Sequence, residues 1–212
     1  LQPHVAPWER SVHRLKKADA HQISDWLIAA LAEANTAICE HSLQLAGGDL
    51  GQQIPMGTTA VLAIIRGNHA HIASVGDSRI YLVGDNGVSL LTGDQNVRGL
   101  WLETARRGES ADFGNEGFAL VGYCGRFDEH QEPSPAMPVM RTIRMLDGET
   151  LCLCSDGLTD YAAQSMADTN AIIAEGARHE DLAAGCRWLV DSANKGGGGD
   201  NISVILARIR HT

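Results

Sequence analysis

Two aspartates sit where a carboxylate can do chemistry. Asp156 directly follows the apolar run Leu151 to Cys154 and precedes Gly157. Its carboxylate should therefore emerge at the end of a buried strand, where the backbone turns sharply. Asp200 lies between the glycine run Gly196 to Gly199 and a final β-branched stretch, an equivalent strand-edge position on a flexible approach. Two carboxylates on neighbouring buried strands would converge. In a site of low dielectric, like charges that close need a counter-charge, and hard oxygen donors are what Mg²⁺ or Mn²⁺ prefers. Taken singly, each Asp-Gly or Gly-Asp pair is also what a simple turn uses. Only the company these residues keep along the chain separates the two readings.

The elements that would position them follow from periodicity. Leu27, Leu31, Ala34 and Ile38 repeat at helical spacing and predict a helix from Asp25 to His41, with Ser24 as its N-cap. Beyond a glycine-rich loop from Gly47 to Gln53, four stretches read as an antiparallel meander: Thr58 to Ile65, His69 to Val75, Arg79 to Val83 and Val88 to Leu91. The Asn86-Gly87 pair marks a hairpin. Periodicity is poor from Gly93 to Pro138, predicting an irregular or partly helical insert, with residues 98–138 as a flap-like excursion. Strands return at Val139 to Met145 and Glu149 to Cys154. An amphipathic helix follows over Asp181 to Asn194, then a last strand over Ile202 to Ile209. Strands and helices are segregated rather than alternating, which favours an α+β fold with helices covering antiparallel sheets, in one domain across residues 1–212.

Bulk properties narrow the function. At 212 residues, 44% hydrophobic and 20% charged, the chain can bury a proper core. A formal charge of -9 argues against nucleic acid, which needs a concentrated basic surface. The longest apolar stretches fall short of a membrane span, and a cytoplasmic protein is expected. Five scattered cysteines, without a Cys-x-x-Cys pair, read as reduced thiols, with Cys152 and Cys154 packing in a core. His69 and His71 read as a surface-facing pair, and His13 and His21 as solvated.

Five segments carry a specific resemblance. Met56-Gly57-Thr58-Thr59, Val75-Gly76-Asp77-Ser78-Arg79, Leu91-Thr92-Gly93-Asp94, Cys154-Ser155-Asp156-Gly157-Leu158-Thr159-Asp160 and Gly199-Asp200-Asn201-Ile202-Ser203 resemble, in order, successive motifs of the type 2C (PPM) serine/threonine protein phosphatases of bacterial type. The resemblance implies an α-β-β-α sandwich of two antiparallel sheets carrying a binuclear Mn²⁺ or Mg²⁺ centre at one edge. It assigns Asp156 and Asp200 to that ion pair, and Asp94 and Asp160 to a third, weaker metal. Gly57, Thr58 and Thr59 look like packing at a strand start, Asp77 and Arg79 like a turn with an ion pair, and Gly157 and Asn201 like structural members of their motifs. It also implies phosphorylated proteins as substrates, hydrolysed by a metal-activated water, and a Ser/Thr kinase as the opposing enzyme.

The chain departs from the family in two places. Relatives begin with a strand bearing an Arg and a Glu-Asp pair, then an Asp-Gly-x-Gly-Gly turn, and nothing in Leu1 to Ala34 matches these. The remaining metal ligands are then expected upstream of Leu1; the alternatives are a pseudophosphatase acting as a binding module and a small-molecule phosphatase. Gln95 stands where relatives usually carry His.

Overall fold

The computed structural model describes residues 18–51, 53–107, 119–162 and 165–210. Two antiparallel sheets face each other. The first holds three strands in the order β1-β2-β5: β1 (Ala60–Arg66), β2 (His69–Val75) and β5 (Val139–Arg144). The second holds four in the order β4-β3-β6-β7: β3 (Arg79–Gly84), β4 (Gly87–Leu90), β6 (Thr150–Cys154) and β7 (Val204–Arg208). Side chains alternate across each strand, so each sheet has two faces to bury. Ala70 and Ile72 of β2 meet Ile80 of β3 and Leu151 of β6 in the layer between the sheets. Ala73 and Val75, on the other face of β2, pack under helix α1 (Ala20–Leu45). Tyr81 and Val83 of β3, with Cys152 and Cys154 of β6, pack under α3 (Asp156–Tyr161), α4 (Met166–Arg178) and α5 (Leu182–Lys195). The result is the α-β-β-α sandwich that the resemblance implies. Helix α2 (Val97–Arg106) lies in the insert and buries none of its side chains.

Several sequence expectations shift. Helix α1 starts five residues before its predicted first residue, because Asp19 rather than Ser24 caps it: the Asp19 carboxylate accepts from the Gln22 amide N–H, and the Gln22 side chain accepts from the Asp19 N–H. The Ser24 hydroxyl instead donates back to the Ala20 carbonyl. Beyond Leu31 the buried stripe of α1 runs through Asn35, Cys39 and Ser42 rather than Ala34 and Ile38. His71 is 3% exposed, not at the surface, because its strand face lies toward α1; its Nδ1 is 3.1 Å from the Thr142 hydroxyl. His13 lies outside the described residues. All five cysteines are free thiols, four of them buried.

The register fixes which strand ends meet. Ala60 of β1 pairs with Val75 of β2, and Ser74 with Val139 of β5. Arg79 of β3 pairs with Cys154 of β6, and Cys154 with Val204 of β7. Since the chain passes from β2 to β3 through Gly76-Asp77-Ser78, residues 57–59, 76–78, 155–157 and 200–203 all cluster at one edge of the sandwich.

Candidate functional site

At that edge, β6 gives way directly to α3. Ser155 occupies the N-cap position and Asp156 the first turn, where a carboxylate is favoured by the helix dipole. The turn is tied to the start of β7 by three hydrogen bonds. The Ser155 N–H donates to the Ser203 carbonyl (3.1 Å), the Ser203 N–H to the Ser155 hydroxyl (3.0 Å), and that hydroxyl to the Asn201 carbonyl (3.2 Å). Gly157 permits this approach: a Cβ there would lie 2.3 Å from the Asn201 carbonyl oxygen. Asp156 and the Asp200-Asn201 turn are thus neighbours held by the backbone and hydroxyl of Ser155, and each aspartate also accepts the N–H of the residue after it.

The glycine run leading to Asp200 passes close to Tyr161, the last residue of α3, and to Asn194 of α5. A Cβ at Gly196 would lie 1.8 Å from the Tyr161 carbonyl oxygen, and one at Gly199 2.6 Å from the Tyr161 hydroxyl.

A second set of carboxylates faces this pair. Asp77 is buried and accepts from Asn96 Nδ2 (3.1 Å). Its pKa is pushed up by burial and, more weakly, by the charges of Asp156 and Asp94; the Asn96 hydrogen bond opposes the rise. Asp160, one turn along α3 from Asp156, is likewise raised by burial and by Asp156, with Arg79 opposing. The ion pair expected near the Asp77 turn exists, but Arg79 makes it with Asp94: Nε donates to Oδ1 (2.8 Å) and Nη2 to Oδ2 (2.5 Å). Side-chain exposures of 16% and 15% make this a sheltered, bidentate pair that keeps the guanidinium charged. Arg79 Nη1 also donates to the Tyr81 hydroxyl (3.3 Å), and burial pushes that phenol up to about 12.

The motif at the start of β1 serves packing. Thr59 Oγ1 lies 2.8 Å from the Ser78 hydroxyl, and Thr58 bridges to Cys124 through paired backbone bonds. Gly57 lies against the Tyr123 ring.

These donors suit a hard divalent cation: they are all oxygens, negative charge is in excess, and Asp94 already neutralises the nearby guanidinium. The described residues nevertheless bring no group of three or more His, Cys, Asp or Glu side chains close enough to hold a metal unaided. They fit one side of a metal centre rather than a complete cage.

Two cavities differ in their relation to this edge. One of about 310 Å³ adjoins it, between Asp94, Gln95, Leu100, Val121, Met137 and Val139. The larger, about 580 Å³, opens at the opposite end of the second sheet, where Arg178, Arg208 and Arg210 face Asp85 and Asp147. Arg208 there already donates to Thr150 Oγ1 and to the Ala177 and His179 carbonyls that end α4. That cavity is remote from the carboxylates and contributes nothing to them. Sequence reasoning missed Asn96 and marked Gln95 only as a departure from the family, not as a residue whose side chain helps hold the Asp77 turn; polar residues following a Gly-Asp pair were the available signal.

Comparison with known proteins agrees with this architecture. The family model for protein phosphatase 2C matches residues 9–100. Serine/threonine phosphatase stp of Listeria welshimeri is 31% identical over 191 residues, covering 88% of this chain and 68% of that protein. Serine/threonine protein phosphatase PstP of Mycobacterium tuberculosis is 28% identical over 154 residues, which is 73% of this chain and only 28% of that protein's length. The Streptococcus agalactiae serine/threonine phosphatase superposes with a TM-score of 0.70 at 26% identity, covering 93% of this chain and 78% of that one. The catalytic domain of PstP in complex with two manganese ions gives 0.71 at 23% identity, over 95% and 78%, a likeness of fold. With the Listeria relative at this identity and coverage, and with the sandwich carrying its carboxylates at one edge, the chain belongs to the protein phosphatase 2C family.

Proposed function

We propose that this chain hydrolyses phosphoserine and phosphothreonine in proteins, and that Asp156 and Asp200 would hold the divalent ions, Mn²⁺ or Mg²⁺, that the reaction needs. Asp160, together with Asp94, whose two oxygens also accept from Arg79, is assigned to a further, weaker ion. The observation that carries the reading is the tie between β6 and β7, which sets the Asp156 and Asp200 turns side by side at an edge already rich in carboxylates. When bound, such an ion pair lowers the pKa of a shared water and neutralises charge on the transferred phosphoryl oxygens.

The chain's own residues prepare that edge. Ser155 and Gly157 hold the two turns together, so the donors are placed before any ligand arrives. Asp77, accepting from Asn96, adds negative charge behind them and strengthens the pull on a cation. Arg79 is committed to Asp94 and is not a free counter-ion for a phosphate. The donors that complete a binuclear centre are not among the described residues. The opposing enzyme in this reading is a Ser/Thr kinase.

The test is turnover by the full natural chain with and without Mn²⁺, on p-nitrophenyl phosphate, a phosphothreonine peptide and a sugar phosphate. Asp156→Ala and Asp200→Ala should each lower Mn²⁺-dependent turnover by at least roughly a hundredfold, since a lost ligand removes both water activation and charge neutralisation. Wild-type rates in either variant would reject the assignment. Preference for the sugar phosphate would point to a small-molecule phosphatase instead.

A further inference from the structure

Three consecutive residues hold the turn between β2 and β3 one for one. Asp94 pairs with Arg79, Asn96 donates to Asp77, and between them Gln95 takes both sides of Gly76. The Gln95 backbone N–H donates to the Gly76 carbonyl (2.9 Å), and the Gln95 Oε1 accepts the Gly76 N–H (2.9 Å). Gly76 has a φ of +99°, and a Cβ on it would lie 2.4 Å from Thr59 Cγ2, so this turn accepts no other residue without strain.

The same glutamine faces the insert with its remaining polar atoms. Its carbonyl accepts the Val121 N–H (2.9 Å) and the Gly122 N–H (3.1 Å), and its Nε2 donates to the Met137 carbonyl (2.8 Å). A Cβ at Gly122 would sit 2.4 Å from Gln95 Oε1, so the insert leaves no room for a side chain where it passes over the amide. Every hydrogen-bonding group of Gln95 is therefore engaged, with the carboxylate turn on one side and two irregular segments of the insert, at Val121-Gly122 and at Met137, on the other. A side-chain amide is suited to this because it accepts and donates at once.

We propose that Gln95 is a positioning residue that locks the insert to the carboxylate edge, so that the wall of the adjoining cavity formed by Val121, Gly122 and Met137 keeps a fixed distance from Asp77 and Asp156. The consequence for catalysis rests on the phosphatase reading: a protein substrate, which must touch both the insert and the carboxylates, depends on the lock more than a small phosphoester does.

Amide hydrogen exchange tests the lock without any activity. Gln95→Ala removes the acceptor of the Gly76 N–H but leaves the backbone carbonyl that Val121 and Gly122 use. If the lock is real, exchange at Gly76, Val121 and Gly122 rises together, by about tenfold, the scale of one lost hydrogen bond. Gly122→Ala, whose methyl would displace the amide from the other side, should give the same pattern, and the double variant should be no worse than either single. Protection of Val121 and Gly122 unchanged in Gln95→Ala, or additive effects in the double variant, overturns the proposal. On the Mn²⁺-loaded chain, the phosphopeptide kcat/KM should fall about tenfold in each variant and that for p-nitrophenyl phosphate less than threefold; equal losses would also overturn it. A wild-type chain that hydrolyses neither substrate yet shows the coupled exchange would sink the phosphatase reading and leave the lock standing.

Discussion

Asp77 shows how a single side chain records the purpose of its surroundings. It is buried, and its pKa is raised chiefly by that burial, with Asp156 and Asp94 adding to the rise. A carboxyl with a raised pKa binds its proton more firmly in the folded than in the unfolded chain. Its contribution to stability is therefore greatest below the unfolded value near 3.8 and declines as pH climbs through the folded one. Asp77→Asn keeps an oxygen for Asn96 and removes the charge. Thermal melts of the metal-free protein should show the variant melting higher at pH 7, by about 2 °C, and level with wild type at pH 3.5. A lower melting point at pH 7 would contradict the electrostatic account. The motif aspartates were legible in the sequence because glycine and apolar neighbours announce a carboxylate at a strand end. The partner of Arg79 was not, because Asp77 is its neighbour in the same motif while Asp94 lies 15 residues away; only the geometry at the start of β3 turns the guanidinium toward Asp94. His71 was misjudged for a related reason: a strand between two layers is buried on both faces, so alternation carries no label of inside and outside.

Among the elements, the junction of β6 with α3 governs the site. The backbone of Gly157 runs so close to Asn201 that any side chain must push β7 away. Gly157→Ala is expected to cost roughly 1–3 kcal/mol in urea unfolding, as overpacking does. It should also weaken Mn²⁺ binding by calorimetry at least about tenfold, because the Asp156 and Asp200 turns would separate; unchanged affinity would show that the two turns need not be adjacent. All seven strands were visible as β-branched or apolar runs, β2 with both ends matched and the others with ends misplaced by at most two residues. Two helices were not anticipated. Helix α3 has only six residues and opens on Asp-Gly, a pair with low helix propensity that reads as a turn. Helix α4 buries Thr169, Ile173, Ala174, Gly176 and Ala177, a stripe of mostly small or polar residues that no hydrophobic periodicity reveals. Gly176 is small because Leu189 of α5 presses on it. The one described helix of the expected insert, α2, buries no side chain and so leaves no apolar stripe to find.

At the scale of the whole molecule, three apolar layers alternate with two sheets, and each sheet spans two of them. Damage to one layer should thus be felt by all. Leu189, fully buried between α4 and the second sheet, offers a direct measure. Leu189→Ala should destabilise by about 3–4 kcal/mol in a single denaturant transition, whereas two separated transitions would mean that the helical layer unfolds by itself. The layered architecture was legible mainly through the five ordered motifs; composition and periodicity alone reached only segregated helices and strands. Among the described residues, no helix is long and apolar enough to cross a membrane. The strand β7 ends the second sheet with Ile205 61% exposed on the face toward the other sheet, so the layer between the sheets is not closed at that border. The glycines around Tyr161 carry a different lesson. A string of four glycines invites use as slack, a place to lengthen the chain or insert a tag. Here the string is fitted to its neighbours: a Cβ at Gly196 would strike the Tyr161 carbonyl, one at Gly199 the Tyr161 ring, and one at Gly198 Asn194. Natural variation in that string should be limited to changes that keep its bareness, a tighter rule than the softness of glycine suggests.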